Sequence, residues 1–117
     1  MSFNIMRYAD EAMLLVQIAP TYRQEKDSIK LAHHLNVHTE TMPDSVRVIL
    51  DIRDVPSLNH ESLLHAIINN RWYRRTAVVI WVMSGISAVT TITAPSVNTL
   101  NICDSLSCAL DMARMVS

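Results

Sequence analysis

Three groups of residues in this chain are of types and spacings that could do chemistry. Asp51, Asp54 and Glu61 lie within one short stretch, and clustered carboxylates can hold Mg²⁺ through their oxygens. A phosphoacceptor pocket built on such a cluster also uses a lysine from a later strand, and the later apolar run Thr76–Met83 has none. An acid/base enzyme also needs a nucleophile or a second paired group, and the sequence places neither, so no catalytic residue is assigned. His34 and His38 are four apart with His33 adjoining, a spacing that shares a metal on one helix face. Asn36 and Val37 are expected to end the helix before His38, and no H-E-x-x-H carboxylate stands between the two, so no metal or other cofactor is expected. His60 and His65 are five apart and do not share a face. Cys103 and Cys108 match neither C-x-x-C nor a zinc pattern. Across a helix start they are expected to face different ways, as buried free thiols in a reducing compartment, with a disulfide or redox role as the lesser alternative.

The densest charge is Arg71, Arg74 and Arg75 around Trp72 and Tyr73. One reading is a solvated loop whose arginines face the negative end of the preceding helix. The other is an anion or partner contact through Arg71 and Arg74, because Arg, Trp and Tyr are enriched at binding hot spots. A net charge of −1 and the lack of a wider basic face argue against nucleic acid. The single glycine, Gly85, excludes a glycine-rich phosphate loop. The longest apolar run, Ala77–Met83, is far short of the roughly 20 residues a bilayer span needs. The N-terminal stretch through Asp10 and Glu11 is too polar for a signal peptide. A cytoplasmic, single domain over residues 1–117 is therefore expected, and the small net charge leaves a homodimer open.

These residues hang on a stretch that reads strand, turn, helix. Val46, Val48, Ile49, Leu50 and Ile52 have the composition of a strand covered on both faces. Pro56 ends it, Asn59 is a good N-cap, and Leu63, Leu64, Ile67 and Ile68 recur at helical spacing. The turn 54–62 thus falls at a strand's carboxyl end, where open α/β sheets gather functional groups. Upstream, Phe3–Tyr8 and Ala12–Ala19 are strand-like, and the short break between them favours an antiparallel hairpin. Thr21 and Gln24 match a capping box opening a helix to about Asn36, with Ile29, Ala32 and Leu35 inward and Leu31 beside them. Downstream, Thr76–Met83 is a strand, 86–95 leans to a short helix ended by Pro95, and Thr99–Cys103 is a last strand. Asp104 or Ser105 then caps a terminal helix through Leu106, Ala109, Leu110 and Ala113. The expected fold is α/β: an N-terminal hairpin, then alternating strands and helices, in a mixed sheet with helices packed against it.

That order, with Leu50-Asp51-Ile52-Arg53-Asp54-Val55 leading through a turn to Leu63-Leu64, resembles the STAS or SpoIIAA-like family, the anti-sigma-factor antagonists and their relatives. Ile102-Cys103-Asp104-Ser105-Leu106-Ser107-Cys108-Ala109-Leu110 resembles the family's closing strand and helix, so the likeness runs over nearly the whole chain. The resemblance implies a small non-catalytic regulatory module that binds a kinase-like or sigma-regulator protein through Ser57, Asn59, His60, Glu61 and Ser62. In phosphorylated members a serine in the D-S-S-G turn takes phosphate from a partner kinase. Here Asn59 and His60 stand at the acidic and first serine positions, Glu61 at the phosphorylated serine, and Ser62 at the glycine. Glu61 carries one negative charge where phosphoserine carries about −1.5 to −2. Either the site is set permanently in a state like the phosphorylated one, or the switch is lost. A slip of one residue in the alignment makes Ser62 the acceptor. The alternative is a domain binding a small anion or lipid on the same scaffold, with Arg53, Arg71 and His60 as its contacts.

Overall fold

The computed structural model describes residues 2–43, 45–55, 60–83, 90–93 and 99–115. It is an α/β fold built on one six-stranded mixed sheet. β1 (Phe3–Tyr8) and β2 (Met13–Ile18) form an antiparallel hairpin through a 3₁₀ turn at Ala9–Glu11. α1 (Gln24–Glu40) leads to β3 (Val46–Asp51); α2 (His60–Ile68) and a one-turn α3 (Arg71–Arg74) lead to β4 (Thr76–Val82). β5 (Thr90–Thr93), β6 (Thr99–Cys103) and α4 (Leu106–Met115) complete the chain. The spatial order is β1-β2-β3-β4-β6-β5, with β2, β3, β4 and β6 mutually parallel and β5 antiparallel to β6.

β3 is interior, flanked by β2 and β4, and its side chains are buried on both faces, as its aliphatic run requires. Strand alternation divides the core in two. Leu14, Val16, Val48, Leu50, Val79 and Trp81 face α1, α2 and α3. Met13, Leu15, Ile49, Ile80, Val82 and Cys103 face α4, which meets them through Ala109 and Ala113, both fully buried. Two alanines one turn apart let that helix lie close to the sheet. With one glycine in the chain, left-handed backbone falls to other residues: Ala12, with φ 48°, turns the chain into β2, and Ser45, with φ 73°, turns it into β3.

Five local expectations are corrected. α1 runs on through Asn36 and Val37 to Glu40, because the Asn36 side chain is a tertiary partner: its Oδ1 accepts the Trp72 backbone N–H at 3.0 Å. The N-cap is Arg23 rather than Thr21, and Asp27 Oδ2 reaches back to the Arg23 N–H at 2.8 Å, which holds the Asp27 carboxyl below its usual range. The inward residues of α1 are Leu31, Leu35 and Thr39, whereas Ile29 is 75% exposed. Arg71–Arg74 is a helical turn rather than a loop, and Trp72 and Tyr73 are core residues at 2% and 1% exposure. Residues 90–93 are a strand; the rest of 86–95 lies outside the described residues. β5 returns the chain to the start of β6, so no crossover helix is needed between the parallel strands β4 and β6.

Candidate functional site

The carboxyl end of β3 is closed by an ion pair between residues two apart. Asp51 ends the strand on the face toward α4 and is 7% exposed. Arg53 Nε donates to Asp51 Oδ1 at 2.9 Å, Arg53 Nη2 to Oδ2 at 2.8 Å, and the Arg53 backbone N–H to Oδ1 at 3.2 Å. This fork-on-fork geometry makes strong charge-assisted bonds. The Asp51 carboxylate raises the already high pKa of Arg53. Arg53 therefore braces the strand end, and its fork is occupied by Asp51. Val55 N–H donates to Ile52 O at 3.2 Å and turns the chain toward α2, with Val55 itself buried.

α2 opens at His60, the position expected from sequence. Ser57 and Asn59 lie outside the described residues, as do the side chains of His60 and Glu61. From Ser62 onward the helix is two-sided: Leu63 and Ile67 are buried, while Ser62, His65 and Asn69 are exposed along the opposite stripe. Asn70 Nδ2 donates to Ala66 O and closes the helix.

Arg71 and Arg74 do not join this end. They sit on α3, which feeds the amino end of β4, whereas Arg53 lies beyond the carboxyl end of β3. Arg71 Nη2 pairs with Glu40 Oε1 at 3.4 Å, and both side chains are at least half exposed, so the pair contributes at most about 0.5 kcal/mol. Beside it a recess of about 30 Å³ is lined by Asn36, Thr39, Glu40, Arg71, Trp72 and Arg75. That space suits ordered water rather than a lipid or an organic anion. A second void of about 20 Å³, between α1 and α2 above Leu50, is mostly apolar and no larger. Tyr22 lines it and donates to Gln24 Oε1 at 3.1 Å; burial first, then the nearby Asp27 charge, pushes its hydroxyl up to about 12.

His34 and His38 do share α1, because the helix outruns the expected stop. No group of three or more His, Cys, Asp or Glu side chains is placed to hold a metal among the described residues. His34 packs edge-on against Phe3, with centroids 5.6 Å apart. The two cysteines overturn the expectation that they diverge: Cys108 Sγ lies 3.5 Å from Cys103 Sγ, and both are free thiols. Sequence spacing alone missed this contact because it depends on how tightly Asp104 and Ser105 fold the chain back from β6 into α4. Among the described residues no helix is long and apolar enough to cross a membrane.

Set against protein-family models, curated proteins and solved structures, the chain matches none. The site must be read from its own geometry.

Proposed function

We propose that the protein is a small non-catalytic regulatory module that acts through protein–protein contact, using residues 59–62 and the exposed side of α2 beyond them. One observation carries the reading: the exposed stripe Ser62, His65, Asn69 stands on a helix launched from the carboxyl end of the central strand. A buried aliphatic strand with its end clamped by Asp51 and Arg53 is a rigid support for such a surface. The recess beside Arg71, a contact named by the alternative reading, is only about 30 Å³, which counts against a small-anion or lipid ligand at that position. The resemblance to anti-sigma-factor antagonists supports a kinase-like or sigma-regulator protein as the partner class.

The test is capture of cellular proteins on the immobilised full chain, compared with Glu61→Lys. A partner retained by the parent and lost with the reversed charge at the start of α2 is the expected result. Equal capture by both chains would place the contact elsewhere. Incubating the chain with the captured kinase and ATP, followed by intact mass and fragment mapping, then reads whether Ser57 or Ser62 takes phosphate.

A further inference from the structure

We propose that Cys103 and Cys108 form a two-thiol redox site, in which Cys108 meets a low-molecular-weight disulfide and Cys103 resolves it to an intramolecular disulfide. The geometry has three parts. The two sulfurs are 3.5 Å apart, so closing to a bond of about 2.05 Å needs a shift of side-chain scale. The two thiols differ in access. Cys103 is fully buried under α4, whereas Cys108 is half-buried and lines an open surface concavity of about 610 Å³ with Ser105, Ser107, Asp111, Met112 and Met115. Both ends are also held by hydrogen bonds. Met83 N–H donates to Cys103 O at 2.9 Å and fixes the strand end, while Ser105 Oγ accepts the Cys108 N–H at 3.1 Å and fixes the first turn of α4. A partly exposed thiol beside a buried partner is the arrangement of a sensing cysteine with its resolving cysteine.

The exchange balances without any other reagent. The Cys108 thiolate attacks one sulfur of the small disulfide; the Cys108–sulfur bond forms, the small S–S bond breaks, and the first thiolate leaves and is protonated by water. Cys103 then releases its proton to water and attacks Cys108 Sγ, expelling the second small thiolate. The protein gives up two electrons and two protons, and the small disulfide becomes two thiols. Burial, followed by the contact with Cys108, pushes the Cys103 thiol up to about 12, so the resolving step quickens as pH rises. The closed bond joins β6 to the first turn of α4. Cys103 stands level with Val82 and Asp51, two strand spacings, or about 10 Å, from the brace on β3.

The experiment treats the folded full chain with oxidised glutathione and follows intact mass in time. A single glutathione adduct that gives way to a product two hydrogens lighter than the starting chain is expected, with conversion of the adduct faster at higher pH. Cys103→Ser should stop at the adduct, and Cys108→Ser should be inert while folded. A parent adduct that persists, an unreactive parent, or a Cys108→Ser chain that reacts at the parent's rate would each overturn the site. The parent time course decides the matter even if Cys103→Ser fails to fold.

Discussion

The two ends of the sheet are held in different ways. At the amino end, contacts join parts of the chain far apart in sequence. Arg114 Nε donates to Glu11 Oε2 at 2.8 Å, Arg47 Nη1 to Glu11 O at 2.6 Å, and Arg7 Nη1 to Thr41 Oγ1 at 2.9 Å. Trp72 is wedged there on α3 and tied to α1 through Asn36. At the carboxyl end, among the described residues, backbone ties join the strand ends, such as Met83 N–H to Cys103 O at 2.9 Å, while side-chain braces are local: Asp51 with Arg53, Tyr22 with Gln24, Ser105 with Cys108. Trp72 is buried between elements and its backbone is tied to Asn36 on α1, so the amino end belongs to global stability. Local braces keep one segment in shape and leave its neighbours able to move, which is where binding surfaces are drawn from.

The largest expected effect tests the amino end. Trp72→Ala removes a 2%-exposed indole and should cost about 3–5 kcal/mol, read as a lower urea midpoint, while partner capture by the chain that remains folded stays at the parent level. Lost capture at unchanged folded fraction would mean that the two ends are not separable. Next comes an asymmetry at the carboxyl end. Arg53→Ala strands a carboxylate at 7% exposure, whereas Asp51→Ala strands a guanidinium that is about a third exposed and can turn to water. Arg53→Ala should therefore cost about 2 kcal/mol and Asp51→Ala about 1 kcal/mol by denaturant titration. The reverse order would show that Arg53 does not brace the strand.

The same contrast explains what could be read in advance. β3, β4 and α4 were legible because their burial is written in their own residues: continuous aliphatic runs in the strands, and Ala109 with Ala113 at helical spacing. The start of α2 at His60 was legible for the same local reason. The amino end was not. Asn36 looks like a helix stop until its acceptance of the Trp72 N–H is known. Trp72 and Tyr73 look like surface residues because arginines flank them, although a single helical turn can bury one side and expose the other. At residues 90–93 the β-forming Thr and Ile content prevailed over the alternation of strands and helices. Of the candidate site, sequence placed Arg53 by position but not its commitment to Asp51. It grouped Arg71 and Arg74 with a site from which the topology separates them.

The smallest effect is a pH response confined to the amino end. His38 Nδ1 is buried without a hydrogen-bond partner among the described residues. Burial above all, then Arg7 on β1 and His34 one turn back on α1, hold its pKa below the ordinary 6.5. The folded chain thus binds this proton less readily than the unfolded chain does. The resulting stability is fully present above 6.5 and is lost as pH falls below it toward the folded pKa. The urea midpoint should fall between about pH 7.5 and about pH 5.5, and His38→Phe should flatten that fall. Only the difference between the two chains reads His38. Parallel slopes in parent and variant would show that the imidazole is hydrated in the folded state, and would remove pH sensing from this end of the sheet.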